Sequence, residues 1–383
     1  MAIPYPRLLL GPGPSEPHPL VLAAMSRPVL GHLDPDFLQC LTDVQTLLRS
    51  VLKTKNECTF AVSGTGMAGM ECVVANLIEP GEKMVVCSAG FFGDRMVNIA
   101  QRAGAAVHAV KQEWGKTFTH DAIEEALKEY RPKVLGIIQA ETTTGAWQKL
   151  EGVAELCHRH GALLVVDAVT SLGTVEVAVD AWQIDALYSG SQKGLGCPPG
   201  LAPVTFSPRA MEAIKQRKTP VTSFYLDVVE LMKYWGNERG YHHTAPIGNL
   251  FALREGLQQV IQEGLAARWD RHARHAASLR AGLAAMGLKL FTDPACQLPA
   301  ITVLLLPDGL DDVTLRRKLL SNYGIEVGGG LGTIKGKAWR IGLMGYGSSK
   351  ANVLTLLAAL EEMFREAGVN VPLGAGVAAA VSS

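Results

Sequence analysis

Hydrophobic residues in the first half of the chain follow two spacings. Short apolar runs are typical of buried strands, and apolar residues that recur at every third or fourth position indicate amphipathic helices. The short runs predict strands over 59–62, 83–87, 106–110, 134–139, 162–167 and 186–189. The helical spacing predicts helices over 35–52, 68–78, 93–103, 119–130 and 153–160. Strands that alternate with helices indicate an α/β fold, with a mostly parallel sheet covered by helices on both faces.

The pattern changes towards both ends of the chain. Pro12 and Pro14 exclude a helix or a central strand near the start, so an extended arm is expected there. After about residue 262 the elements indicate a smaller α+β domain, which includes a long basic helix over 264–286. The predicted units are an N-terminal arm, a large domain, a small C-terminal domain and a flexible tail, over residues 1–20, 21–262, 263–367 and 368–383.

Two of these segments have a simple interpretation. The basic run in 264–286 is most simply the solvated face of a helix. The last residues, 368–383, are small and rich in glycine and alanine, which predicts a loosely held tail.

Composition narrows the possible functions. The 36 basic and 36 acidic residues cancel, so no overall positive field favours nucleic acid or an anionic membrane, and small-molecule chemistry is expected. No signal peptide is recognisable, and no apolar run reaches the roughly 18 residues of a membrane-spanning helix. The seven cysteines show no CxxC spacing. They favour free thiols in the cytoplasm over disulfides or a zinc site.

Asp167 and Lys193 stand where chemistry is expected. Asp167 closes the strand-like run 162–167, and Lys193 follows the run 186–189 in a loop of small residues. Ligands of open α/β sheets bind beyond the carboxyl ends of the strands. There, a lysine can form a Schiff base with pyridoxal 5'-phosphate (PLP), and an aspartate can pair with the ring nitrogen. A solvated surface lysine is the simpler alternative.

A glycine-rich turn follows the first predicted strand of the sheet and opens a helix. Gly64, Gly66 and Gly69 match the G-x-G-x-x-G pattern of nicotinamide-binding folds. That motif requires an acid at the end of the next strand, where this chain has Cys87 and Ser88, so a dinucleotide is disfavoured. A single phosphate on the helix N-terminus still fits, and a turn without a ligand is the alternative.

Three further side chains can serve a site or the fold. Phe92 can cover a cofactor ring or pack in the core. Thr142 can offer a hydroxyl to a ligand or cap a turn. Arg340 lies in an apolar strand pattern and therefore needs an anionic partner. That partner is either a structural carboxylate or the carboxylate of a substrate.

Residues 241–244 read Tyr-His-His-Thr. Adjacent histidines in a strand point to opposite faces, and no third ligand is spaced nearby, so no metal site is expected. Tyr241 and Thr244 are suited to donate hydroxyl hydrogen bonds to a phosphate, provided that the segment reaches the site.

Together these motifs resemble the class V aminotransferases, which are fold type I PLP enzymes, and among them the alanine–glyoxylate (serine–pyruvate) group. The matching stretches are 11–15, 63–66, 166–173, 188–193, 225–227, 241–244 and 340–343. The resemblance implies a homodimer with composite active sites that acts on small amino acids and 2-oxo acids. The implied reaction transfers the amino group of L-alanine or L-serine to glyoxylate, which gives glycine and pyruvate or hydroxypyruvate.

The resemblance also implies a role for each matching residue. Lys193 is the Schiff-base lysine, and Asp167 is the partner of the ring nitrogen. The other implied cofactor contacts are Thr65, Gly66, Met67, Phe92, Thr142, Val169 and Gln192, with Tyr241 and Thr244 supplied by the other subunit. The implied substrate contacts are Arg340, Gly13 and Ser171.

Some positions depart from related enzymes. Phe92 stands where animal members carry tryptophan, and Met67 where they carry histidine. Ureidoglycine–glyoxylate aminotransferase is a competing interpretation, but its phosphate loop carries a Ser-Arg pair where this chain has Gly66 and Met67. A cysteine desulfurase places a histidine where this chain has Gln192. The motifs are also compatible with a serine–glyoxylate aminotransferase and with a non-catalytic PLP-binding protein.

Overall fold

Strands and helices alternate along the chain, and the computed structural model describes residues 7–383. The strands are β1 (Leu8–Leu9), β2 (Cys58–Ser63), β3 (Lys83–Ser88), β4 (Ala106–Lys111), β5 (Val134–Ile138), β6 (Ala140–Glu141), β7 (Ala146–Trp147), β8 (Leu163–Asp167), β9 (Ala186–Tyr188), β10 (Leu201–Phe206), β11 (Ile301–Leu305), β12 (Ile325–Glu326), β13 (Gly328–Gly329) and β14 (Ala338–Gly342). The α-helices are α1 (Pro19–Met25), α2 (Pro35–Leu52), α3 (Gly66–Leu77), α4 (Phe91–Arg102), α5 (His120–Tyr130), α6 (Val153–Arg159), α7 (Pro208–Lys215), α8 (Val228–Trp235), α9 (Ile247–Glu263), α10 (Leu265–Ala285), α11 (Asp312–Tyr323), α12 (Lys350–Glu366) and α13 (Ala375–Ser382).

A seven-stranded sheet in the order β2-β10-β9-β8-β5-β3-β4 forms the centre of the fold. Only β10 runs antiparallel to its neighbours, and the pairs from β9 to β4 are parallel. Asp167 pairs in register with Tyr188, so the ends of β8 and β9 meet at one edge. The prediction of an α/β fold with a mostly parallel sheet is confirmed.

Strand β10 is a central strand that the sequence pattern does not predict. It follows a Gly/Pro-rich loop and contains Pro203, a residue that argues against a central strand. Two neighbouring strands hold it in place, since Val204 lies opposite both Phe60 and Tyr188. Pairing with β2 and β9 therefore outweighs the local preference of Pro203 and the preceding Gly/Pro-rich segment for a loop.

Three hydrophobic clusters stabilise the described part of the chain. One fills both faces of the central sheet with residues between Val21 and Val260. A second contains residues between Leu279 and Ala380 and also Leu10 of the arm, around the antiparallel sheet β11-β14-β13. A third, smaller cluster joins Ala140 to Ile301 and Val303 of β11. The domain limits at residues 20, 262 and 367 stay predictions.

The arm is extended and docked, as the two prolines predict. β1 pairs with β12 in parallel, and the Gly342 amide donates a hydrogen bond of 2.8 Å to the Leu10 carbonyl. Leu10 is completely buried. The arm therefore adds a strand to the region that carries Arg340.

The C-terminal segment differs from the expected loose tail. Helix α13 packs on α10 and α12, and Ala380 is buried. The Glu361 carboxylate accepts hydrogen bonds from the amides of Gly374 and Gly376, at 2.9 and 2.6 Å. Small residues at the contact allow the helices to approach closely, because a Cβ on Gly282 would lie only 2.8 Å from the Gly376 carbonyl oxygen.

The basic run of α10 is also not simply a solvated face. Arg268 is 5% exposed and His272 is completely buried, because both bond to backbone groups of other segments. All seven cysteines are buried and free, as their spacing predicts. Within residues 7–383, no helix combines the length and the apolar composition that crossing a membrane requires.

Candidate active site

Asp167 is buried at the carboxyl end of β8, with an exposed fraction of 3%. Its Oδ2 accepts a 2.6 Å hydrogen bond from the Tyr188 hydroxyl, and its Oδ1 accepts a 2.8 Å bond from the Val169 amide. Burial raises the pKa of Asp167 to about 6, and the two hydrogen bonds oppose this rise. A carboxylate held in this way attracts a cationic ligand.

Lys193 lies in the loop between β9 and β10 and is 8% exposed. Its Nζ donates to the Pro12 carbonyl, and a Cβ on Gly13 would lie 2.7 Å from Nζ. Gly13 has a φ of 112°, so only glycine suits this close contact between arm and lysine. The Ser15 hydroxyl also donates to the Lys193 carbonyl, at 2.7 Å.

The electrostatic surroundings of Lys193 favour its neutral amine. Burial lowers the pKa of Lys193 to about 8; the Arg340 charge contributes to this decrease, and the Asp167 and Glu141 charges oppose it. A neutral amine is the form that attacks a carbonyl. The charges of Arg340, Asp167 and Glu141 therefore lie close enough to Lys193 to affect its pKa.

The N-terminus of α3 forms an anion cradle close to Val169, whose amide binds Asp167. Thr65 precedes the helix, is exposed, and does not cap it with its hydroxyl, so the hydroxyl and the first helical amides are available to a ligand. A Cβ on Gly66 would lie 3.1 Å from Val169. The Oε1 of Gln192 is buried and has no hydrogen-bond partner within residues 7–383. Met67 instead faces Arg95, whose Nη1 lies 3.9 Å from its sulfur.

Glu141 is a site residue that the sequence reasoning did not single out. Its carboxylate is 3% exposed and accepts hydrogen bonds from the amides of Phe92, Gly93 and Thr143, at 3.2, 3.3 and 3.0 Å. Burial raises the pKa of Glu141 to about 7, and the Asp167 charge adds to this rise. The sequence signal that could have identified Glu141 is its position as a single acidic residue shortly after the apolar strand β5. Glu141 holds Phe92 at the start of α4.

Thr142 and Ser171 are both buried. The Thr142 hydroxyl is 2.6 Å from the Thr170 hydroxyl. Ser171 is completely buried, and its Oγ has no hydrogen-bond partner within the described residues. Their contacts with ligands stay predictions.

Arg340 is the buried cation of the site, on β14 and 9% exposed. Its Nε donates to the Gly329 carbonyl at 2.8 Å. In residues 7–383, no carboxylate lies within salt-bridge distance of its guanidinium. Burial lowers the pKa of Arg340 to about 10. Of the two partners that the sequence allows for Arg340, a structural carboxylate is absent from the described chain. The guanidinium can therefore bind the carboxylate of a ligand.

Tyr241 and Thr244 lie at the surface of the described chain. Tyr241 is 63% exposed, and Thr244 is exposed as well. Between them, His243 places its Nε2 2.7 Å from the Ser63 hydroxyl. Among residues 7–383, no three His, Cys, Asp or Glu side chains are grouped closely enough to hold a metal ion.

The residues present fit PLP. The anion cradle suits a phosphate, because no side chain caps the first amides of α3. Asp167 offers a buried carboxylate to a protonated ring nitrogen, and Lys193 offers an amine to the aldehyde.

The family profile described as aminotransferase class-V matches residues 22–349. The chain is 50% identical to an alanine–glyoxylate aminotransferase from Nostoc sp., with a TM-score of 0.94 over 95% of this chain and 97% of that one. It is 40% identical to the ureidoglycine–glyoxylate aminotransferase of Bacillus subtilis, with a TM-score of 0.98 over 100% and 98% of the two chains. It is also 41% identical to the alanine–glyoxylate aminotransferase of Callithrix jacchus, over 93% of this chain and 87% of that one.

The chain therefore belongs to the class V aminotransferases, enzymes that depend on PLP. The predicted family, fold type I architecture and cofactor are confirmed.

Proposed function

We propose that the chain transfers the amino group of L-alanine or L-serine to glyoxylate, with Lys193 as the catalytic residue and Arg340 as the substrate handle. The names of the two alanine–glyoxylate relatives support L-alanine and glyoxylate as substrates. The observation that carries the proposal is the buried guanidinium of Arg340, which has no carboxylate partner in the described chain and acts electrostatically on Lys193.

Arg340 binds the carboxylate that every amino-acid and 2-oxo-acid substrate shares. The Nε of Arg340 already donates to Gly329, which orients the guanidinium and leaves its terminal amino groups for the substrate. A fork of N–H groups holds a carboxylate by two parallel hydrogen bonds. Binding also compensates a buried positive charge, so substrates without a carboxylate should bind poorly.

Lys193 moves the proton at the reacting carbon. PLP, when bound, supplies a conjugated ring that accepts the electrons released at the substrate Cα. The amine of Lys193 takes the proton from Cα and returns it on the cofactor side, and a pKa of about 8 makes both steps accessible near neutral pH. Tyr188 and Val169 hold Asp167 in place to stabilise positive charge at the ring nitrogen.

The remaining assignments concern cofactor binding. Thr65, Gly66, Met67 and Gln192 hold the phosphate, of which Met67 contributes its backbone amide. Phe92 and Val169 cover the two faces of the ring, with Phe92 fixed through its amide by Glu141. Thr142 lies near the ring, and Gly13 and Ser171 near the substrate.

Lys193→Ala tests the catalytic assignment. Turnover of L-alanine with glyoxylate should fall about 10³-fold or more, because nucleophile and proton carrier are lost together. The visible absorbance of the lysine-bound cofactor should disappear as well. Lys128→Ala, at an exposed position on α5, is the control and should change neither. A Lys193→Ala protein that retains both turnover and absorbance would contradict the assignment.

Ureidoglycine–glyoxylate transamination is the second candidate. The Bacillus subtilis relative of that name matches the full length of this chain. A screen of L-alanine, L-serine and (S)-ureidoglycine as donors to glyoxylate separates the two functions. A kcat/KM for ureidoglycine above that for both amino acids would replace the first candidate by the second.

We further propose a cytoplasmic homodimer in which Tyr241 and Thr244 reach the phosphate of the partner subunit. The free cysteines suit a reducing compartment. Phe224, Tyr225 and Tyr241 are 64%, 44% and 63% exposed, and such aromatic groups are typical of interfaces. Sedimentation equilibrium should give the mass of two chains, and a monomer at micromolar concentration would contradict the assembly.

A further inference from the structure

Three polar side chains of helix α10 bind backbone groups of distant segments. Arg268 and His272 are buried, and Arg271 is partly buried. Glu263, the last residue of α9, lies against the two arginines. These four residues are called the α10 network below.

Arg268 holds the segments next to the candidate catalytic lysine. Its Nη2 donates a 2.6 Å hydrogen bond to the carbonyl of Gly194, the residue after Lys193. Its Nε donates to the Gly173 carbonyl at 3.0 Å, in the loop that follows Asp167. One buried guanidinium thus ties both loops to α10.

Arg271 and His272 hold the segment after Arg340. The Nη1 of Arg271 donates to the carbonyls of Gly345 and Ser348, at 3.1 and 2.5 Å. The Nε2 of His272 accepts a 3.1 Å bond from the Gly345 amide. Burial lowers the pKa of His272 to about 3, so the ring is neutral and its Nε2 stays an acceptor. Both side chains therefore fix the loop that leaves β14.

Glu263 joins the two halves of the α10 network. Its Oε2 lies 2.5 Å from Nη1 of Arg268, and its two oxygens bind Nε and Nη2 of Arg271 at 2.5 and 3.0 Å. The carboxylate thus bridges two guanidinium groups that hold different loops. Three charge-assisted hydrogen bonds therefore connect the two arginines that hold the two loops.

We propose that the α10 network is a positioning device that sets the distance between Lys193 and Arg340. The proposal rests on the proposed function, in which both residues must reach one small amino acid. Arg340 fixes the carboxylate, and Lys193 must then lie within reach of the adjacent Cα. A misplacement of 1 Å costs up to about 10²-fold in rate, so a bridge between the two loops has a direct catalytic consequence.

Arg268→Lys and Arg271→Lys test the proposal in the holoenzyme, because each keeps the charge but loses the fork. Arg268→Lys should shift the pH titration of the bound cofactor's visible band and lower kcat about tenfold, while the Kd of propionate stays within about twofold. Propionate is alanine without its amino group and reports on the Arg340 side. Arg271→Lys should weaken propionate binding about tenfold and leave the titration of the band unchanged.

Glu263→Gln and Arg274→Lys complete the design. Glu263→Gln keeps the shape of the bridge but not its charge, so both readouts should change. It also serves as the milder variant if Arg268→Lys fails to fold. Arg274 is exposed on the same helix, and Arg274→Lys should change neither readout.

Three results would overturn the proposal. The first is that each arginine variant changes both readouts together, in step with a lower unfolding temperature, because this would indicate a purely structural role. The second is that neither arginine variant changes the cofactor titration or the propionate Kd. The third is that Glu263→Gln matches the wild type in both readouts. A wild-type protein without a visible cofactor band or transamination would instead contradict the proposed function itself.

Discussion

The two ends of the central sheet each bury an aspartate, and they treat its charge in different ways. Asp185 precedes β9 and is 2% exposed. Its Oδ2 lies 3.0 Å from Nη1 of Arg209 and 2.9 Å from Nε2 of His158, and it accepts a 2.8 Å bond from the Leu164 amide. The Ser207 hydroxyl donates to Oδ1 at 3.2 Å. This carboxylate has a cation and several hydrogen-bond donors within the fold.

Asp167 lies at the opposite end with nearly the same burial, 3%. Its hydrogen-bond partners within residues 7–383 are the Tyr188 hydroxyl and the Val169 amide, both uncharged. Burial raises its pKa to about 6, whereas an ordinary aspartate titrates near 3.8. The charge of Asp167 is therefore only partly compensated by the chain.

The contrast shows which end of the sheet is built for a ligand. At the carboxyl end, burial raises the pKa of Glu141 and Asp167 and lowers the pKa of Lys193. Several incompletely compensated charges in one place destabilise the protein without its ligand. Such groups cluster at functional sites, where a charged ligand supplies the missing partner.

Substitution of the two aspartates by asparagine should have opposite effects on the stability of the cofactor-free protein at pH 8. Asp185→Asn breaks a satisfied ion pair and should lower the free energy of unfolding by about 2–4 kcal/mol. Asp167→Asn removes a charge that burial disfavours. Since folded Asp167 holds its proton up to about pH 6, its ionisation costs up to about 3 kcal/mol at pH 8, and Asp167→Asn should raise stability by about 1–3 kcal/mol.

Urea unfolding at pH 8 measures both changes, after the cofactor has been removed by dialysis against a carbonyl reagent. The holoenzymes supply the complementary measurement, because Asp167→Asn should lose most transaminase turnover while folded Asp185→Asn keeps it. Equal destabilisation by both substitutions would remove the distinction between the two ends of the sheet.

Most of the fold was predictable because the signals that define it are local. The spacing of apolar residues predicted α2 with the bounds found, Pro35–Leu52, and it predicted α5, which Thr119 caps. The failures arise where tertiary contacts outweigh local pattern. Pro203 made β10 look like a loop, and the small residues of α13 predicted a loosely held tail although they allow close packing on α10.

The site was predictable where a residue ends a strand or follows a recognisable motif. Asp167, Lys193 and Arg340 are such residues. Arg268 could not be distinguished from a solvated arginine, because its partners, the carbonyls of Gly173 and Gly194, come from distant segments. Glu141 was missed for the same reason.

Glu141→Gln offers a smaller and more specific test of the contrast, through the pH dependence of stability. Burial raises the pKa of Glu141 from 4.5 to about 7, so between these values the folded state binds more protons than the unfolded state. Stability must therefore fall as pH rises through this window. Glutamine keeps the acceptor for Phe92 and Gly93 but does not titrate. The variant should gain about 2–3 kcal/mol relative to wild type between pH 5 and pH 8.

The measurement is the difference in unfolding free energy between variant and wild type, taken in urea at several pH values on cofactor-free protein. A difference removes the contributions of all other titrating groups that the substitution leaves unchanged. Glu125→Gln, at an exposed position on α5, is the matched control and should give a flat profile. A flat profile for Glu141→Gln as well would mean that the Phe92, Gly93 and Thr143 amides fully compensate the carboxylate. Glu141 would then belong with Asp185, as a satisfied structural acid at the ligand-binding end of the sheet.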